Sequence, residues 1–304
     1  MSFGLRILGS SSALPTSDRF PTAHLLKTNE RFFLIDCGEG TQMQLRKFRI
    51  RLGKINHIFI SHLHGDHTFG LFGLISSFNL LGRTEPLHIY GPDLLEEMIL
   101  DHLKFFQTNF GYELVFHRIQ CRRSALLYED KNIEVRSLPM NHRIPTCGFL
   151  FREKTKERNI RKEKIAEYGI PIREIVKIKK GADYVLPYGS SIPNSDLTLP
   201  PAESRSYAYC SDTRPNKSLL PILKNVDLLY HESTFLHADE KLAHETYHTT
   251  AQQAAEFARK VGAGRLLIGH FSSRYKDLSE FETEARKIFP ATTAVSDGDV
   301  FEVD

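Results

Sequence analysis

FISHLHGDHTFGL, residues 59–71, decides the reading of this chain. Phe59, Ile60 and Ser61 end an apolar strand, and Leu71 with the residues after it reads as helix. Between them His62, His64, Asp66 and His67 fall within six consecutive positions. On an extended backbone His62 and His64 share a face, because side chains alternate with a period of two. Gly65 permits a tight turn that brings Asp66 and His67 back toward them. Polar side chains left unpaired at a buried strand end are costly, so something must satisfy them. One histidine there would ordinarily be a satisfied core residue. Four such groups point to metal, since neutral imidazole and carboxylate are standard ligands of zinc and related ions. One ion can hardly use all four in this geometry, which leaves two subsites.

Outward from this stretch, short apolar strands alternate with helical patterns. Strands read at FGLRILG, RFFLIDCG, HIFISH, PLHIYGP, ELVFHRIQ, IEVRSLPM, TCGFLFRE, SYAYCSD, DLLYHES, RLLIGHFS and DVFEVD. Helices read around 40–50, 68–80, 93–106, 250–262 and 278–288. Several strands are apolar throughout, as in sheets covered on both faces, so the fold class is α/β, or α+β in layers, with helices outside. Three more polar residues follow apolar strands: His142 after IEVRSLPM, Asp212 after SYAYC and His270 after RLLIG. Open α/β sheets place their chemistry at such ends. Each of the three alone reads equally as a cap or turn residue. With the first four they complete a set for two metals.

The stretch AHETYHTTAQQAAEFARKVGAG, residues 243–264, carries Ala251, Ala254, Ala255, Ala258 and Val261 at helical spacing, with Thr249 or Thr250 as the cap. His248 therefore stands just before a helix N-terminus, where free N–H groups favour phosphate. His244 lies one turn earlier, a further candidate phosphate contact. Asp36 reads as a buried carboxylate that orients a ligand or serves the structure.

The combination of motifs is more specific than any one of them. SHLHGDH resembles the signature of the metallo-β-lactamase superfamily. IDCGEGTQ (35–42), DTRP (212–215), HESTF (231–235) and HFSSRY (270–275) resemble the ribonuclease Z family, the tRNA 3′-processing endonucleases. The resemblance implies an αββα sandwich with a dinuclear site at one edge. It implies that His62, His64 and His142 hold a first zinc, that Asp66, His67 and His270 hold a second, and that Asp212 bridges them. Manganese or iron are the substitutes such ligands allow. Asp66 is also implied as a proton acceptor, His248 as the acid for the leaving group, and Glu232 as its orienting partner. The implied reaction is removal of 3′ trailers from precursor tRNA by metal-hydroxide attack, leaving a tRNA 3′-hydroxyl and a trailer 5′-phosphate.

Charge bears on the partner. The chain of 304 residues has a net charge of only +3, with 41% hydrophobic and 25% charged residues, ordinary for a soluble globular protein. Residues 151–180 hold eleven Lys or Arg against five Glu, a local +6 that leaves −3 for the rest. A basic block on a near-neutral body suggests a polyanion-binding element. The ordinary alternative is a solvated helix with paired Glu and Lys. Residues 152–205, ending in loop-forming PYGSSIPNSDLTLPPAES, read as an insertion protruding from one domain of residues 1–304, without a core of its own.

In the family an insertion at this place is an arm that grips the tRNA of the other subunit in a homodimer, which favours RNA. Two details depart from the family pattern. Gly169 and Pro171 are separated where many relatives have Gly-Pro, although Lys179-Lys180-Gly181 stays close to it. In the loop Pro15-Thr16-Ser17-Asp18-Arg19-Phe20, Pro15 and Arg19 match a family element tied to sensing the CCA end, whereas Ser17 and Phe20 do not.

No apolar run reaches the ~18 residues of a membrane span. The N-terminal MSFGLRILGS lacks the layout of a signal peptide. Cys37, Cys121, Cys147 and Cys210 form no C-x-x-C pair, which argues against a disulfide framework and fits a reducing cytoplasm. Two other functions remain to be weighed: a small-molecule phosphodiesterase or arylsulfatase-like hydrolase, for which a basic arm has little purpose, and a non-catalytic RNA-binding subunit, which loss of ligands would mark.

Overall fold

The computed structural model describes residues 3–29, 31–105 and 110–303. Position 106 of the expected helix 93–106 and Asp304 of DVFEVD lie outside the described residues. Two seven-stranded sheets organise the chain. The first has the order Val300–Glu302, Phe3–Gly9, Ala23–Thr28, Arg31–Ile35, Ile55–Phe59, Leu87–Gly91, Leu114–Arg118. It is antiparallel up to Arg31–Ile35 and parallel beyond. The second runs Thr292–Ala294, Arg265–Gly269, Leu228–Glu232, Ser206–Cys210, Cys147–Glu153, Ile133–Pro139, Leu126–Glu129, with its first four strands parallel.

SYAYC and LLYHE are buried at every position, as strands covered on both faces must be. The inner face of the second sheet meets the first through aromatic rings: Phe59 lies 5.4 Å from Phe149 and Phe33 5.6 Å from Phe151, both on Cys147–Glu153, and His24 lies 5.1 Å from Tyr209. On the outside of the first sheet, Leu34, Ile58 and Ile60 pack with Leu71, Leu74, Ile75 and Phe78 of the helix Gly65–Leu80. On the outside of the second, Leu229, Leu266 and Ile268 pack with Ala254, Ala255, Ala258 and Val261 of the helix Ala251–Val261 and with Phe281. This is the expected helix–sheet–sheet–helix order.

Three strands of the two large sheets are not legible in the sequence. Ala23–Thr28 is buried at five of six positions and so shows no alternation, while Leu126–Glu129 and Thr292–Ala294 are too short to carry a pattern. The helix expected from 68 begins at Gly65, because His64 keeps an extended backbone (φ −65°, ψ 150°) as its cap. Asp66 and His67 thus lie in the first helical turn. The helix Ala251–Val261 starts on a capping box, in which the Thr250 side chain accepts from the Gln253 N–H and the Gln253 side chain accepts from the Thr250 N–H. Among the described residues, no helix is long and apolar enough to cross a membrane. All four cysteines are free and buried.

The chain divides into two compact units: Met1–Tyr128 with Val135–Phe151 and Arg205–Asp304, and Glu129–Glu134 with Arg152–Ser204. The smaller unit has a core that the sequence reading did not anticipate. Ile170, Ile178, Tyr184 and Leu197 are buried together, with Ile165 and Ile175 packed against them. These apolar positions are scattered through charged text, which hid their spacing. Glu–Lys pairs decorate its helices Lys162–Tyr168 and Ile172–Lys179, as in Lys164–Glu167 at 2.8 Å and Lys177–Glu174 at 3.0 Å. Lys162, Arg173 and Lys180 are exposed.

Candidate metal centre

The parallel strands deliver polar residues to one end of both sheets. His62 and His64 follow Ile55–Phe59, Asp212 follows Ser206–Cys210, Glu232 ends Leu228–Glu232, and His270 follows Arg265–Gly269. His142 follows Ile133–Pro139. His270 adopts φ 62°, a conformation uncommon for residues other than glycine.

Two donor groups that share Asp212 result, and a third, Glu232, His248 and His270, adjoins them. His62, His64, His142 and Asp212 place one ligand atom each within 4.8 Å of one another, and so do Asp66, His67, Asp212 and His270. All seven sequence candidates are therefore brought together. The two oxygens of Asp212 divide between the groups. Its Oδ1 lies 3.4 Å from His67 Nε2 and 3.2 Å from His270 Nε2, and its Oδ2 lies 3.5 Å from His62 Nε2 and 3.8 Å from His142 Nε2. Asp66 Oδ2 approaches His67 Nε2 and His270 Nε2 at 3.4 and 3.3 Å.

Does this donor set fit a metal? His67 Nε2 and Asp212 Oδ1 are buried without a hydrogen-bond partner, which is unusual for buried polar atoms. Both are lone-pair donors aimed into the cluster once His67 is neutral and carries its proton on Nδ1. Imidazole with carboxylate suits divalent ions of the zinc, manganese and iron type. The residues fit a divalent metal.

A surrounding layer of hydrogen bonds fixes the rings. Asp36 Oδ2 lies 2.7 Å from His67 Nδ1 and accepts from the Tyr209 hydroxyl at 2.5 Å and the Ser61 hydroxyl at 2.8 Å; its Oδ1 accepts from the Ser61 N–H at 2.7 Å. His142 Nδ1 faces the Tyr247 carbonyl at 3.1 Å, and His270 Nδ1 faces Thr234 Oγ1 at 2.9 Å. Such partners hold a ligand's tautomer and orientation. Asp36→Asn is expected to weaken metal binding by about 10–100-fold with the fold retained, because an amide cannot accept from all of these donors. Titration against a competing chelator measures this, and unchanged affinity would make Asp36 a packing residue only.

His248 and Glu232 form the second feature of the site. His248 Nδ1 is 3.0 Å from Glu232 Oε1. Glu232 is fully buried and saturated: Oε1 also accepts from the N–H groups of Thr249 and Thr213, and Oε2 from the N–H and hydroxyl of Thr234. Burial disfavours the His248 cation, but the Glu232 carboxylate outweighs it and pushes the imidazole up to about 9. At His67, burial is likewise outweighed, by Asp66, Asp212 and Asp36, which raise it well above the usual histidine range. Burial costs Asp212 its charge less than the surrounding histidines restore, and its carboxyl is held well below the usual range.

The cluster opens into a cavity of about 550 Å³, with Ser12, Pro15, Phe69, Arg143, Phe235 and Ser272 on its walls. His244 is exposed and is not among the lining residues; Thr246 is. Thr234, Tyr209 and the Tyr247 carbonyl were not singled out in the sequence. Thr234 had a signal in HESTF, two residues after Glu232. Tyr209 and Tyr247 had none, since their roles arise from packing across the sheets and from a backbone atom.

Comparison with known proteins agrees with this geometry. A family model described as Anti-Pycsar protein Apyc1 matches residues 3–155. The Ribonuclease Z of Bacteroides thetaiotaomicron is 49% identical over 290 residues, covering 95% of this chain and 92% of its own. That of Parabacteroides distasonis is 48% identical over 296 residues, covering 97% of each. Among solved structures, human tRNase Z, short form, superposes with a TM-score of 0.72 at 27% identity over 99% of each chain. The metallo-β-lactamase fold protein YhfI from Bacillus subtilis superposes at 0.69 with 18% identity, over 99% of this chain and 98% of its own. With identity near one half sustained along almost its whole length, the chain belongs to the ribonuclease Z family of metallo-β-lactamase-fold proteins.

Proposed function

We propose that this protein is a metal-dependent endoribonuclease that removes 3′ trailers from precursor tRNA. The observation that carries the reading is the pair of donor groups sharing Asp212 beside the His248–Glu232 pair in one cavity. The family relationship supplies the substrate class. His62, His64 and His142 would hold one ion, Asp66, His67 and His270 a second, and Asp212 both; zinc is the assigned metal, with manganese or iron as substitutes. Bound there, two divalent ions supply Lewis acidity toward a phosphodiester and activate water.

The chain's own residues complete the chemistry. Asp66 faces the cavity and takes the proton from the attacking water. Glu232 engages His248 at Nδ1, which leaves Nε2 to protonate the departing 3′ oxygen of the tRNA. The bond between phosphorus and that oxygen breaks, so the tRNA keeps a 3′-hydroxyl and the trailer a 5′-phosphate. The saturated hydrogen bonding of Glu232 prevents the pair from rotating out of line.

Residues 152–205 serve as an RNA-binding insertion within a single metallo-β-lactamase-fold domain of residues 1–304. Their lysines and arginines meet phosphates and set register without reading sequence. The protein works as a homodimer in the cytoplasm. Purified protein should cut a 3′-extended precursor tRNA, lose that activity on chelation and regain it with added zinc. Equal cutting of an unstructured RNA would overturn the tRNA assignment. Deleting residues 152–204 should weaken tRNA cleavage while sparing a small chromogenic phosphodiester; a parallel fall in both would make the insertion structural.

A further inference from the structure

The loop between the strands Phe3–Gly9 and Ala23–Thr28 supplies Ser12, Ala13 and Pro15 to the cavity wall. Its tip is exposed: Ala13, Leu14, Pro15, Ser17 and Asp18 all face solvent. Something must therefore hold the tip in one place. Backbone bonds close the stem, with the Ser11 N–H donating to the Phe20 carbonyl at 3.0 Å and the Thr16 N–H to the Arg19 carbonyl at 3.0 Å.

The two sides of that stem also converge on one distant carboxylate. The Ser10 hydroxyl donates to Asp297 Oδ1 at 2.7 Å, and the Phe20 N–H donates to Asp297 Oδ2 at 2.7 Å. Gln44 Nε2 approaches the same Oδ2 at 3.4 Å. Close packing seats the stem as well. A Cβ on Gly9 would lie 1.8 Å from the Pro21 carbonyl oxygen, and one on Gly40, whose φ is +80°, would lie 2.3 Å from the Phe20 ring. On the far side, Arg19 Nη2 donates to the Tyr275 carbonyl at 2.9 Å, tying the loop to the segment that carries the wall residue Ser272. Asp297 belongs to none of the donor groups that could hold metal.

We infer that Asp297 is a positioning residue for the RNA: its carboxylate fixes the Ser10–Phe20 loop as the wall that aligns the nucleotides beside the scissile phosphodiester. The inference rests on the tRNA-processing reading above. Both oxygens of Asp297 face donors, and one of these, the Phe20 N–H, can only donate. An amide in its place loses the charge that strengthens both bonds; it either turns its N–H₂ against the Phe20 N–H, which cannot accept, or turns it to Ser10, whose hydroxyl must then reverse to accept, and in both cases the stem is held more weakly. A small phosphodiester needs the metal donors but does not reach along the wall. The two substrates should therefore respond differently.

The test compares the metal-loaded wild-type protein with Asp297→Asn on a 3′-extended precursor tRNA and on bis(p-nitrophenyl) phosphate. The variant is expected to raise the precursor KM by about tenfold and to spread the cut over neighbouring positions, with kcat on the small diester within about twofold of wild type. Metal content should be equal. Arg19→Met, which releases the Tyr275 contact and the Arg19 charge near Asp297 but leaves the Ser10 and Phe20 bonds to Asp297 in place, should shift precursor KM and cut position in the same direction. Equal loss on both substrates, or unchanged precursor KM and cut position, would overturn the inference. Should Asp297→Asn fail to fold, Ser10→Ala and Arg19→Met decide it, and precursor cutting unaltered in both would overturn it. If the wild type does not cut the precursor, the functional reading falls and this inference with it; wild-type cutting matched by every variant removes this inference alone.

Discussion

Asp212→Ala should lose bound metal and tRNA cleavage together. Its Oδ1 faces His67 and His270 and its Oδ2 faces His62 and His142, so one truncation removes a donor from both groups. It also removes the carboxylate that stands among four buried imidazoles. The loss of affinity should exceed the ~10–100-fold typical of losing a partner in the layer around the ligands. Metal analysis of the gel-filtered variant beside a gel assay on precursor tRNA measures both quantities. Full metal content with cleavage abolished would remove Asp212 from the ligand set and make it an acid–base group.

His248→Ala should do the opposite: leave metal in place and slow turnover. Loss of a positioned proton donor costs typically about 10²–10⁴-fold, so kcat on precursor tRNA should fall in that range with KM little changed. The leaving group supplies the sharper measurement. A ribose 3′ oxygen departs as a strongly basic alkoxide unless protonated, whereas p-nitrophenolate departs readily without a proton. Cleavage of the chromogenic diester should therefore suffer far less than cleavage of RNA. An equal fall on both substrates would count against proton donation and in favour of a role in binding. Glu232→Gln should follow in the same direction and carry a stability cost besides, because Glu232 accepts from Thr213, Thr234 and Thr249 as well as from His248.

The residues that hold and surround the candidate centre differ in how far the sequence revealed them. Strand ends are legible because an apolar run followed by His or Asp is a local pattern, and every candidate ligand follows such a run. The helix over Ala251–Val261 is legible for the same reason, its alanine spacing and threonine cap being written within a dozen residues. Asp36 and Tyr209 stand 173 positions apart, and no local pattern links them. Nor could Asp297 be connected to Ser10 and Phe20, which it reaches across 287 and 277 positions. The small core around Ile170 and Ile178 escaped because lysine and glutamate outnumber the isoleucines around it. Local text reveals the ligands; what orients them depends on which strands become neighbours.

The donors come from both sheets: His62, His64, Asp66 and His67 follow a strand of the first, and His142, Asp212 and His270 follow strands of the second. Ions seated among them would act as a seam joining two halves that are otherwise held mainly by aromatic packing. Metal binding and folding then become a single linked equilibrium, in which occupancy of the centre contributes to the stability of the whole sandwich as well as to its chemistry.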